Sequence, residues 1–186
     1  MEDSEVLMAG FGGQGMLLAG KVLAQAAMHE GMEVSWLPSY GPEMRGGTAN
    51  VMVCFSNTPI GSPLISSPRA LLVMNLPSLE KFSPSVKPGG LIVINESMID
   101  RGADRADCTE VKVAARELAK EAGTERAANF VMLGAYIGAT GAMPAKTIEW
   151  ALEHEFAGPK AKFIPVNMSA FQAGLAIGQQ AAVVRS

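Results

Sequence analysis

Charge is scarce in this 186-residue chain. Asp, Glu, Lys and Arg make up 18% of it, against about 25% in ordinary soluble proteins. Hydrophobic residues reach 48%, so part of the surface is expected to be covered by something other than water. The 15 basic and 18 acidic residues leave a net charge of −3. A nucleic-acid binder needs a positive footprint, so no nucleic-acid partner is expected. Cysteine and histidine are rarer still, at two each. Cys54 and Cys108 lie outside any C-x-x-C spacing, and His29 and His154 have no spaced carboxylate or cysteine partners. A structural zinc or iron–sulfur cluster takes about four soft ligands. The chain is therefore expected to hold no metal or cluster of its own, with both histidines on helix surfaces.

Long apolar runs are also missing. The uncharged stretches Ala127 to Ala145 and Phe163 to Val184 are interrupted by Asn129, Pro144, Pro165 and Asn167. Neither is an unbroken span of about 20 apolar residues, so both are read as buried helices and no membrane is expected. The opening Met1-Glu2-Asp3-Ser4-Glu5 lacks the basic-then-apolar pattern of a secretory signal, and a cytoplasmic location is expected.

What is present is an alternation of strands and helices. Ser4 to Gly10 ends in an apolar run of buried-strand texture, and Met16 to Met28 reads as a helix closed by Gly31. Strands are expected at Glu33 to Leu37, Thr48 to Phe55, Leu71 to Met74, Leu91 to Ile94 and Glu110 to Val113. The loop Ser39 to Gly47 is short for a parallel crossover and points to an antiparallel pairing nearby. Helices are expected at Leu76 to Phe82, Ala114 to Ala122, Ala128 to Thr140, Ala145 to Phe156 and Asn167 to Val183. The pattern predicts one α/β domain over 1–186: three layers, Rossmann-like, with an open, mostly parallel sheet and a helical C-terminal part.

Gly10-Phe11-Gly12-Gly13-Gln14-Gly15 matches G-x-G-x-x-G between a predicted strand and helix. Such a turn gathers backbone N–H groups at a helix N-terminus, where an anion is favoured. A dinucleotide site also needs an acid near the end of the second strand. Glu33 precedes that strand, and Trp36-Leu37-Pro38 offers no acid. A tight turn needing glycine for packing, and an anion site for some other phosphate, both stay open. Gly15 to Lys21 mimics a P-loop, but Val22 stands where Ser or Thr would bind magnesium, and the intervening residues are helix formers.

Ser39-Tyr40-Gly41-Pro42-Glu43-Met44-Arg45-Gly46-Gly47 places an Arg and a Glu in a Gly- and Pro-rich loop after a strand end. Such loops carry ligands or partners in open α/β sheets, and an Arg fork suits carboxylate or phosphate. A Glu43–Arg45 pair merely bracing a turn is the alternative. Taken in order with Gly10 to Gly15, this loop resembles the γ subunit of the 2-oxoacid:ferredoxin oxidoreductases. Lys87-Pro88-Gly89-Gly90, Asn129, Met132-Leu133-Gly134-Ala135 and Thr140-Gly141 fit the same pattern, from about residue 5 to 178. The nonapeptide looks most like the 2-oxoglutarate branch, although pyruvate, ketoisovalerate and indolepyruvate enzymes carry similar domains. One departure is Arg69 after Pro68, where the pattern leads one to expect an acid.

The resemblance implies a complex that oxidatively decarboxylates a 2-oxoacid to acyl-CoA and passes electrons to ferredoxin. It implies thiamine diphosphate and magnesium between α and β subunits. Iron–sulfur clusters would sit on β or on a ferredoxin-like δ subunit, and coenzyme A would approach near the γ domain. The chain is expected to bind no cofactor alone and to lack catalytic residues. Its expected binding residues are Gly10, Gly12, Gly13, Gln14, Gly15, Tyr40, Glu43, Arg45, Gly46 and Gly47. A free-standing nucleotide-dependent dehydrogenase and a pure assembly scaffold are the alternatives. In the tail, Gly134 and Gly138, then Gly174 and Gly178, are each spaced four apart. That spacing puts each pair on one helix face and permits close backbone approach, either within this chain or against a subunit.

Overall fold

A computed structural model describes residues 4–40 and 48–183 of the chain, with Tyr40 and Val183 described by backbone alone. Strands β1 (Ser4–Phe11), β2 (Glu33–Tyr40), β3 (Thr48–Ser56), β4 (Ala70–Val73), β5 (Leu91–Asn95) and β6 (Thr109–Val113) form one sheet. Their order is β2-β3-β1-β4-β5-β6. The neighbours β1, β4, β5 and β6 run parallel, and β3 is antiparallel to both β1 and β2. The expected antiparallel pairing is the β2–β3 hairpin, in register from Glu33 opposite Ser56 to Tyr40 opposite Ala49.

Strand alternation divides the core. Val6 and Met8 of β1 join one apolar cluster, while Leu7 and Ala9 join the other. The first is covered by α1 (Met16–His29), α3 (Ala115–Ala122), α4 (Ala128–Thr140), α5 (Ala145–Glu155) and α6 (Ile164–Val183). The second is covered mainly by α2 (Leu76–Phe82) and irregular connections, so the third layer is thin. Asn75 caps α2, its side chain accepting from the Ser78 N–H at 2.9 Å.

Helix α4 is buried on nearly every side, as its lack of charge demands, because it lies between the sheet and α6. The tail glycines make this possible. A Cβ on Gly134 would sit 2.1 Å from the Phe171 carbonyl oxygen, and one on Gly174 would sit 1.9 Å from that of Val131. Gly138 and Gly178 meet the opposite backbone in the same way, at 2.2 Å each. The two pairs therefore interlock α4 with α6 inside this chain. Both histidines are exposed against Trp150, His29 stacked with centroids 3.7 Å apart and His154 tilted at 3.8 Å. No helix among the described residues is long and apolar enough to cross a membrane.

Candidate functional site

The chain reverses its direction of travel across the sheet at β1. From there α1 carries it toward β2, and the later strands add on the other side, so the C-terminal ends of β1 and β4 border a switch point. The glycine motif lies there. Gln14 donates its backbone N–H to the Phe11 carbonyl at 3.1 Å, tightening the turn. Its side chain then folds back over the loop. Gln14 Oε1 accepts from the Phe11 N–H at 2.6 Å and from Asn75 Nδ2 at 3.1 Å, and its Nε2 donates to Met98 Sδ at 3.4 Å. Gly15 adopts a left-handed conformation at φ +78° and leads into α1 without a side-chain cap.

Three asparagines tie the surrounding segments together. Asn75 follows β4, Asn95 ends β5, and Asn129 opens α4. Asn95 Nδ2 donates to the Met74 carbonyl at 3.3 Å, and Asn129 Nδ2 donates to the Gly15 carbonyl at 3.0 Å. Asn129 Oδ1 is buried without a hydrogen-bond partner. Between these segments opens a crevice of about 310 Å³, walled by Gly13, Gln14, Met98, Arg116, Glu125 and Arg126 among others. Arg116 pairs with Glu125 at 3.0 Å. The Arg126 guanidinium has no partner among the described residues, so the described lining sets two arginines against one glutamate. Outside the crevice lining, the Ser97 hydroxyl accepts from the Arg116 N–H at 3.1 Å and donates to Glu117, which holds that carboxyl below its ordinary pKa.

The glycine turn and Tyr40, near the start of the second motif, come to the same end of the sheet. Ala49 of β3 is in register with Gly10 on one side and Tyr40 on the other. With strands about 4.8 Å apart, the two backbones stand roughly 10 Å apart. The expected residues Glu43, Arg45, Gly46 and Gly47 lie outside the described residues. Gly10, Gly12, Gly13, Gln14 and Gly15 form one turn, with Gly13 and Gln14 lining the crevice. Arg116, Arg126, Asn75 and Asn95 went unnoticed in the sequence. An asparagine just before Leu76-Pro77 is a legible cap signal. The arginines have no local signal, since only the folding of α3 and of the 3-10 turn Glu125–Ala127 before α4 brings them to the crevice.

The position beside β1 where a dinucleotide fold places its second parallel strand is taken by antiparallel β3. Glu33 begins β2, two places away. Gly20 and Lys21 lie inside α1, where Lys21 pairs with Glu155 at 2.8 Å, so no phosphate loop forms there. Cys54 is buried, Cys108 half-buried, and both are free thiols. Among the described residues no three His, Cys, Asp or Glu side chains gather as a metal site. Two cysteines in separate segments do not fit an iron–sulfur cluster.

Known proteins resemble this chain along most of its length. The ketoisovalerate oxidoreductase subunit VorA of Methanothermobacter marburgensis is 42% identical over 92% of the chain, which covers 36% of that protein. The chain thus spans little more than a third of the length of the ketoisovalerate relatives it matches. The 2-oxoglutarate synthase subunit KorC of the same organism is 34% identical over 91% of the chain and 94% of its own length. The keto/oxoacid ferredoxin oxidoreductase γ subunit from Geobacter sulfurreducens superposes with TM-score 0.82 at 30% identity, covering 95% of this chain and 99% of that one. A 2-oxoglutarate:ferredoxin oxidoreductase from Magnetococcus marinus shares the fold, with TM-score 0.85, 24% identity, and coverage of 97% of this chain and 32% of that one. The chain belongs to the pyruvate ferredoxin/flavodoxin oxidoreductase family, whose model matches residues 5–177.

Proposed function

We propose that this chain is the γ subunit of a 2-oxoacid:ferredoxin oxidoreductase, which works beside α and β subunits and a ferredoxin-like subunit to convert a 2-oxoacid and coenzyme A to acyl-CoA. Thiamine diphosphate, magnesium and the iron–sulfur clusters belong to the companion subunits, and ferredoxin takes the electrons. The chain offers no reactive side chain to the chemistry. Its contribution is a charged recess on the side where coenzyme A arrives, in a cytoplasmic assembly. The observation that carries this reading is the crevice at the switch point, where Arg116 and Arg126 stand beside the glycine turn.

A coenzyme A phosphate suits that recess better than it suits the glycine turn alone. Inside the turn, the Gln14 N–H already binds the Phe11 carbonyl and the Phe11 N–H already binds Gln14 Oε1. Arginine forks hold phosphate by paired, charge-assisted hydrogen bonds. In this reading Arg45 and Glu43, on the loop that springs from the same sheet end, either add to the anion site or dock a neighbouring subunit. The Ser39–Gly47 segment favours 2-oxoglutarate as substrate. The higher identity to the ketoisovalerate relative favours a branched 2-oxoacid, and parallel assays with both acids separate the two.

Substituting Arg126→Ala in the assembled complex is expected to raise KM for coenzyme A about tenfold or more, with kcat little changed. Arg116→Ala is expected to act in the same direction but less, because Glu125 already holds that guanidinium. Unchanged coenzyme A kinetics in the double variant would remove the crevice from the reaction.

A further inference from the structure

A second recess lies at the opposite end of the sheet, where β1, β4 and β5 begin. It measures about 350 Å³ and is lined by Glu5, Cys54, Ile60, Leu64, Arg69 and Lys87 among others. Arg69 is fixed from both sides. Its N–H donates to the Glu5 carbonyl at 2.9 Å, and its own carbonyl accepts from the Leu91 N–H at 2.9 Å. Its side chain, by contrast, is exposed and makes no ion pair or hydrogen bond with any described residue. Lys87, held by its N–H on the Pro68 carbonyl at 3.0 Å, pairs with Glu5. Among the described residues, one unneutralised positive charge therefore faces this recess, on a chain whose net charge is −3. The same two cations border an adjoining recess of about 300 Å³ beside Pro88, Gly89 and Gly90.

The segment after β3 adds two apolar side chains to the lining, Ile60 and Leu64. Ile65 is buried and its N–H rests on Met52 Sδ at 3.3 Å, while the neighbouring Leu64 is left 69% exposed. An exposed leucine alone needs no explanation. An exposed leucine and an arginine unpaired among the described residues, in one recess, describe a ligand with two ends. We infer that this recess binds a small organic anion, its carboxylate on Arg69 and Lys87 and its hydrocarbon body over Leu64 and Ile60. Cys54 stands in register with Glu5 at the recess floor and serves as a built-in reporter. Burial first, and then Glu5, pushes its thiol above the ordinary cysteine pKa. It is therefore a slow nucleophile that an occupant would shield further. The site stands apart from the coenzyme A crevice and does not depend on the function proposed for it.

The test uses the full chain carrying Cys108→Ser, so that Cys54 is the sole thiol. Calorimetric titration with hexanoate and with acetate is paired with alkylation of Cys54 by a neutral reagent. Hexanoate is expected to bind saturably, about tenfold more tightly than acetate, and to slow alkylation severalfold. Arg69→Ala is expected to weaken both anions about tenfold. Leu64→Asn should erase the advantage of hexanoate over acetate while leaving acetate unchanged. Arg101→Ala, at an exposed pair with Glu80, is the charge-matched control and should change nothing. No saturable binding to the parent chain, or equal hexanoate affinity in Arg69→Ala and the parent, would overturn the proposal. So would an Arg69→Ala defect confined to subunit assembly, because the recess would then be a protein contact.

Discussion

Replacing Gly174 by alanine is expected to lower the melting temperature by roughly 5–10 °C, although alanine is the better helix former. Propensity favours alanine by up to about 1 kcal/mol in a helix interior. Opposing this, the new Cβ would lie 1.9 Å from the Val131 carbonyl oxygen and 3.0 Å from the Ala135 nitrogen. Both are backbone atoms of a helix buried on nearly every side, so no side chain can swing away. Overpacking a rigid core costs up to about 3 kcal/mol and occasionally more. At this crossing the high end applies, because α4 and α6 must part along their whole contact, with Gly134, Gly138 and Gly178 caught in the same interlock. Circular dichroism melting of the purified chain measures the effect. A rise in melting temperature, as propensity alone demands, would show that the two helices do not meet backbone to backbone.

Gly15→Ala is the second large effect, and it acts at the crevice. Gly15 has φ +78°, where an L-residue costs roughly 1–2 kcal/mol. Its Cβ would also approach Asn129 Nδ2 to 2.8 Å and Cγ to 2.9 Å. Asn129 is 2% exposed and its Nδ2 is committed to the Gly15 carbonyl, so it has little room to yield. The expected loss is about 2–4 kcal/mol. Gly31 supplies the control, having φ +77° with nothing within 4 Å of its Cβ position. Gly31→Ala should therefore show only the backbone share. Urea unfolding of both variants separates strain from collision, and equal losses would mean that Asn129 does not buttress the turn.

Much of the fold was legible because local signals and packing agree. Leu76 to Phe82 and Ala128 to Thr140 were expected as helices and have those bounds. Asn75 caps the first, and left-handed Gly141 stops the second. Where local and tertiary signals differ, the sequence misleads. Pro38 appeared to end β2, yet the strand continues to Tyr40. Proline is tolerated there because β2 is an edge strand. Helix α6 starts at Ile164 rather than Asn167, since Pro165 fits a first helical turn and does not mark its boundary. At the candidate site, Gly10 to Gly15 and its strand-to-helix setting were readable from spacing. Gln14 folding over the turn was not, because it depends on Asn75 and Met98, brought in from distant segments. Arg116 and Arg126 were invisible for the same reason. The glycine pairs announced a close contact, but only the fold shows that each helix supplies the surface the other needs.

The most direct measurement is 2-oxoacid- and coenzyme A-dependent reduction of ferredoxin by the companion subunits, assayed with and without this chain. The chain alone is expected to show no turnover, its omission to abolish coenzyme A-dependent reduction, and purified chain to restore it when added back. Full activity of the companions without it, or oxidation of a substrate by the chain alone with a nicotinamide cofactor, would show that the chain is not an auxiliary subunit.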